Sequence, residues 1–170
     1  MRNLSEMVFI GEIAFQTEIA LVSAKRLDAD KMDVDEIVLW SAIQSILISA
    51  ANISKLLWPS RKKYKLRGER LRELLRIEKN NVLSDRTFRN HFEHYDERVE
   101  EWFENKSSSV YDDLAINPSL YRSDITLATI HRGYNTYNQT VIFRGELFDL
   151  KKVLQALQEI KSECKKYTIV

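Results

Sequence analysis

The stretch from Ile37 to Trp58, IVLWSAIQSILISAANISKLLW, limits the possible folds more than any other part of the chain. It is apolar on nearly every face, and a helix of that kind needs neighbours on most of its sides. The stretch is also about as long as a membrane span. Against spanning stand Ser41, Gln44, Ser45, Ser49, Asn52, Ser54 and Lys55, with further charges close on both sides, so it reads as a buried core helix. Asp33 or Asp35 suits its start, since a carboxylate is favoured at a helix N-terminus. Pro59 ends it. The row Ser41, Ser45, Ser49 and Asn52 recurs at about one turn. Small residues there would let a neighbouring helix approach closely; the sharper alternative puts Ser49 or Asn52 beside a polar site.

The remaining composition points the same way. Four glycines and two prolines in 170 residues leave little room for a loop-rich β fold. The length suits a single helical domain spanning 1–170. Met7 to Leu27 forms a long amphipathic helix, through Ile10, Ile13, Ala14, Thr17, Leu21 and Ala24. Glu6, Glu12 and Glu18 interrupt the apolar run of a secretory signal. DADKMD, Asp28 to Asp33, is a charged break before the core helix. The net charge of +1 identifies no partner class, so any polarity must be local. The single cysteine, Cys164, rules out an intramolecular disulfide and fits a reducing, cytoplasmic setting. Its place on a helical stripe makes it a small core hydrophobe.

One local charge cluster follows the core helix. Arg61 to Arg76 holds eight basic residues against Glu69 and Glu73, a net of +6. Lys62, Lys63, Lys65 and Arg67, with Tyr64 between them, could track an RNA backbone while the tyrosine stacks on a base. The competing readings are a solvated face, or a partner for the acidic stretch Glu93 to Glu104. The segment enters a short helix over Glu69 to Glu78.

The densest set of reactive side chains lies on Ser84 to Glu104. Phe88, Phe92, Tyr95, Val99, Trp102 and Phe103 recur at helical spacing, so one helix is expected from an N-cap at Ser84, with Leu83 stapled on Phe88. Asn90, Glu93, His94 and Glu97 then point away from the apolar stripe. KSSS, Lys106 to Ser109, is a linker, and Asn117-Pro118 marks a turn. The alternating Ile125 to His131, the turn residues Gly133 to Asn138 and the apolar Thr140 to Phe143 predict a small β-hairpin within about 124–145. Asp149 then caps a last helix carrying Leu150, Val153, Leu154, Leu157, Ile160 and Cys164.

Arginine, carboxamide and histidine on one short stretch are the parts that RNA cleavage at the 2′-hydroxyl needs. Histidine, with an unperturbed pKa of about 6.5, serves as base or acid near neutrality. Arginine's planar fork suits phosphate oxygens. Arg89 and His94 are five residues apart, about 140° around an ideal helix, so they converge only if the long Arg89 side chain wraps or a second chain supplies the facing surface. Metal is the rival chemistry, because His91, His94 and Glu97 step by three residues. No carboxylate lies between Ile37 and Trp58 to complete such a set, and one cysteine excludes structural zinc.

Arg89-Asn90-His91-Phe92-Glu93-His94 resembles the R-x(4–6)-H motif of the HEPN superfamily, including the polar residue after the arginine. The resemblance implies a four- to five-helix bundle acting as a homodimer, and a metal-independent endoribonuclease of toxin–antitoxin or phage-defence systems. It makes Arg89 and His94 catalytic with Asn90 supporting them, requires no cofactor or metal, and implies RNA and a cognate antitoxin or defence-complex protein as partners. A catalytically inactive helical scaffold is the alternative that the same superfamily offers.

Overall fold

The computed structural model describes residues 4–27, 35–87, 90, 93–105, 111–118 and 129–167. It is mainly helical, with a small mixed four-stranded sheet before the last helix. The chain forms two compact units, residues 1–86 with 152–170 and residues 87–151.

In the first unit α1 (Leu4–Ala24) runs on as a 3₁₀ turn to Leu27, and α2 covers Glu36–Leu57. Their pairing is the main packing of this unit. Ile10, Ile13, Thr17, Ala20, Ser23 and Leu27 form the buried stripe of α1, and Leu39, Ile43, Ile46, Ala50, Ile53 and Leu57 lie buried on α2. Asp35 starts α2, its Oδ1 accepting the Ile37 and Val38 N–H groups at 2.8 and 3.3 Å. The serine row is accounted for locally. Ser41 and Ser45 donate to the carbonyls of Val38 and Ser41, and Ser49 is buried. Asn52 Nδ2 donates to Gln16 Oε1 of α1 at 3.3 Å. Ser41 is exposed and Ser49 buried, so the row is not one contact strip; Asn52 is the member that ties the two helices together.

A 3₁₀ turn, Lys62–Tyr64, leads into α3 (Lys65–Leu74), which starts and ends four residues earlier than the sequence pattern suggests. Its end is set by backbone geometry. Arg76 adopts φ 51°, the Arg76 N–H donates to Glu73 O, and the Ile77 N–H donates to Arg72 O at 2.8 Å. This is the Schellman pattern, in which the left-handed position favours glycine. Arg76→Gly is expected to raise stability by about 0.5 kcal/mol, read as a higher urea midpoint, because relief of left-handed strain exceeds the added freedom of the unfolded chain. Gly68 has the opposite constraint. A Cβ there would lie 2.5 Å from Pro59 Cδ and 2.6 Å from Leu57 O. Gly68→Ala should cost about 1–2 kcal/mol in chemical denaturation despite alanine's better helix propensity, since the backbone carbonyl cannot yield.

The last helix, α5 (Leu150–Cys164), buries Val153, Leu157, Ile160 and Cys164. Burial pushes the Cys164 thiol up to about 12, so it packs as an inert hydrophobe. Lys161 pairs with Glu18 of α1, and Tyr167 Oη donates to Leu74 O at 2.7 Å.

The second unit departs more from the sequence pattern. Ser84 does not open a long helix; it closes a 3₁₀ turn (Val82–Ser84) whose cap is Asn81, accepting the Leu83 N–H at 3.0 Å. Thr87, Asn90 and Glu93 are helical, His94 is a turn residue, and α4 follows as Tyr95–Asn105. Phe88, Arg89, His91 and Phe92 lie outside the described residues, as do Asp28–Asp33, Lys106–Ser109 and Ile125–Leu127. The expected hairpin is present as part of a larger sheet of order β1-β2-β3-β4. β1 (Ala115–Ile116) pairs in parallel with β2 (Arg132–Asn135), which is antiparallel to β3 (Thr140–Phe143), itself antiparallel to β4 (Glu146–Asp149). Gly133, Tyr134 and Asn135, read from sequence as turn residues, are strand residues; the turn is Thr136–Gln139. Gly133 suits a crowded strand, since a Cβ would meet Ile130 Cγ2 at 3.0 Å and Ile142 Cδ1 at 3.2 Å. The β3–β4 link is Arg144-Gly145 with φ 52° and 87°, the all-positive geometry whose twist matches a two-residue hairpin.

Candidate functional site

Helix α4 is fixed by one face. Trp102 is 2% exposed and meets the His131 ring edge-on at 5.3 Å and the Tyr111 ring at 5.9 Å. Tyr95, in the first turn of α4, contacts the same imidazole at 5.7 Å, and the Arg132 guanidinium lies over the Tyr95 ring at 4.6 Å. A second tie joins Arg98, Glu101 and Arg144. Both Glu101 oxygens accept from Arg98 Nη1 at 2.7 Å, and Oε2 also accepts from Arg144 Nη1 at 2.5 Å. Arg144 first, then Arg98, holds the Glu101 carboxyl below its ordinary range. The amphipathic pattern thus seats Tyr95 and Trp102 on the sheet.

The other face carries the residues expected from sequence to be functional. His94, immediately before α4, and Glu97 have side chains 49% and 61% exposed, with His94 Nδ1 3.3 Å from Glu97 Oε1. The His94 N–H donates to Asn90 O at 3.0 Å, so Asn90, also exposed, stands one helical turn earlier. Asn90 and His94 are therefore neighbours on an outward surface, with Glu97 a further turn on. Arg89 is not among the described residues, so its approach to His94 is not shown.

The basic segment divides in two. Lys62, Lys63 and Lys65 are exposed, and Tyr64 is partly exposed with Lys63 Nζ 4.8 Å from its ring centre. Arg67 instead turns inward, lying over Phe9 at 4.8 Å and Tyr64 at 5.1 Å while donating to Lys55 O. Arg70 pairs with Glu6, and Arg72 donates to Leu57 O beside Trp58. Arg67 and Arg72 thus join helices within the unit, whereas Arg70, though paired with Glu6, stays 63% exposed, and Arg61 and Arg76 are exposed together with the three lysines and Tyr64.

No spacing pattern foretells the cluster around His131. This histidine is fully buried, its Nδ1 3.2 Å from Tyr111 Oη and 3.6 Å from Asp113 Oδ1. Asp113 accepts the Arg132 fork at 2.8 and 2.5 Å. Burial alone would raise the Asp113 pKa, but Arg132 and then His131 outweigh it and hold the carboxyl well below the usual range. Burial pushes the Tyr111 phenol up. Among the described residues, the buried His131 Nε2 has no hydrogen-bond partner. With no exposed surface, this imidazole cannot meet a substrate, and the cluster serves as the framework under α4. Tyr111, Asp113 and His131 obey no spacing rule, so only the sheet reveals them. Among the described residues, no three His, Cys, Asp or Glu side chains converge as a metal set. Compared with known proteins, the chain matches no family model, no curated protein and no solved structure.

Proposed function

We propose that the chain is a metal-independent endoribonuclease of HEPN type, with a HEPN-like helical bundle, acting in the cytoplasm in a toxin–antitoxin or phage-defence setting. The supporting observation is His94 itself: exposed, next to an anchored helix, with a carboxylate on Nδ1 and Asn90 one turn away. Glu97 at Nδ1 assigns proton transfer to Nε2. His94 takes the 2′-hydroxyl proton, the 2′-oxygen attacks phosphorus, and the bond to the 5′-oxygen breaks as an acid protonates it. The products are a 2′,3′-cyclic phosphate and a 5′-hydroxyl. Arg89 neutralises the phosphorane and Asn90 positions it. A second copy of the chain supplies the opposing acid, and an antitoxin or defence-complex protein would restrain the activity.

The test incubates the protein with mixed single-stranded and structured RNA in excess chelator, beside His94→Ala, Arg89→Ala and Asn90→Ala. Chelator-resistant cleavage that leaves cyclic phosphate ends and is lost in the His94 and Arg89 variants is the expected result. Equal cleavage by wild type and His94→Ala sinks the reading. The exposed lysines supply a separate prediction. Reversing Lys62, Lys63 and Lys65 to glutamate should weaken RNA binding and flatten the plot of log affinity against log salt by about two. The second reading, an inactive helical scaffold, is favoured by the uncovered apolar residues of α1. It predicts a folded protein with no cleavage in any arm.

A further inference from the structure

We propose that the outer face of α1 is a self-association surface, on which a second copy of this chain lays its own α1 antiparallel. The inference goes beyond the ribonuclease reading and does not depend on it. Opposite the buried stripe of α1, Leu4, Val8, Phe15 and Val22 are 79%, 63%, 61% and 44% exposed. With Gly11 and Glu18 they follow one another in alternating steps of four and three residues along the helix. That spacing is the seam of a coiled coil, narrower than the apolar face a globular core requires. A helix with an apolar seam opposite an apolar core stripe has no ordinary solvent face.

The seam suits a copy of itself. In an antiparallel pair centred on Ile13, Leu4 falls opposite the partner's Val22 and Gly11 falls opposite the partner's Phe15. A Cβ at Gly11 would meet nothing within 4 Å, so the helix surface is notched where the ring of Phe15 would arrive. The two-fold axis makes that knob and notch occur twice, the reciprocal contact of an isologous dimer. Val8 falls opposite Glu18, whose carboxylate is drawn aside to Lys161 and leaves its aliphatic stem on the seam. Antiparallel helices also align their dipoles favourably. Leu4–Leu27 is long and apolar enough to cross a membrane by length and composition. However, Glu12 is exposed beside the seam and Glu18 lies on it, and carboxylates oppose entry into an anionic lipid surface.

Sedimentation equilibrium of the full chain at tens of micromolar should give a dimer. Phe15→Glu should weaken it roughly 100-fold, the loss typical of a central hot spot. Gly11→Phe, which sets two phenylalanines against each other, should weaken it comparably, and the exchange Gly11→Phe with Phe15→Gly should restore it. Ile37→Glu, an exposed apolar position on α2, should leave it unchanged. Circular dichroism of each variant confirms folding, which exposed positions should not disturb. A monomeric wild type, a dimer indifferent to Phe15→Glu, or a dimer lost equally in Ile37→Glu overturns the proposal. So does a monomer that sediments with anionic phospholipid vesicles through Phe15. RNA cleavage by the wild type beside His94→Ala, both with α1 unaltered, reports separately on the nuclease reading.

Discussion

Trp102→Ala is expected to lower the stability of the 87–151 unit by about 3–5 kcal/mol, the usual loss for a buried tryptophan. Trp102 is 2% exposed and holds edge-to-face contacts with His131 and Tyr111 at once. Such pairs contribute about 0.5–1.5 kcal/mol each beyond the area they bury, so the upper part of the range applies. The cavity would also open beside an imidazole nitrogen that has no hydrogen-bond partner among the described residues. Hydrogen exchange on Arg132–Asn135 and Thr140–Phe143 is the direct readout, since these strands flank the cluster. Their protection should collapse in Trp102→Ala and largely survive in Trp102→Phe. Unchanged exchange would show that α4 is held by other contacts, and the account of how His94 is positioned would have to change with it.

Asp113→Ala should cost about 2–4 kcal/mol, because it leaves Arg132 and His131 without their shared acceptor. The figure is set below that of a fully buried pair because the Asp113 and Arg132 side chains are 19% and 23% exposed. The same carboxylate predicts a pH dependence. Although burial works against it, Arg132 and His131 depress the folded-state pKa of Asp113. Its contribution is therefore fully present above the unfolded carboxylate pKa of about 3.9 and is lost as pH falls through the lower folded value. Wild-type stability of this unit should decline below about pH 4, and Asp113→Asn should flatten that limb of the profile. A wild-type and variant pair with parallel acid limbs would show that the Asp113–Arg132 fork carries no net stability.

Much of the helical layout could be read locally. Asp35 and Pro59 bound α2 because a capping carboxylate and a missing N–H act within one turn. The stripes of α1 and α5 follow from periodicity, and Cys164 lies buried on the latter. Structure and sequence pattern diverge where local signals compete. Ser84 and Asn81 are both good caps, and Asn81 prevails three residues earlier, closing a 3₁₀ turn. Arg76 and Arg144 occupy left-handed positions where glycine or asparagine would have signalled a stop or a turn, so the end of α3 and the β3–β4 hairpin went unread. Of the candidate site, Asn90 and His94 are neighbours because residues one turn apart on a helix must be.

By itself, then, the sequence determined that the chain is mainly helical, where α2 begins and ends, and that Asn90 and His94 lie one turn apart. Those properties depend on interactions within a turn or two of chain. Tertiary structure alone decided the rest. It turned Arg67 and Arg72 from part of an apparent cationic track into ties between helices, because a charge count cannot tell which cations find partners. It buried His131 with Tyr111, Asp113 and Arg132, groups brought together only when β1 and β2 align in parallel. It also left the seam of α1 uncovered, since an apolar stripe reads the same whether the fold covers it or leaves it for a second chain.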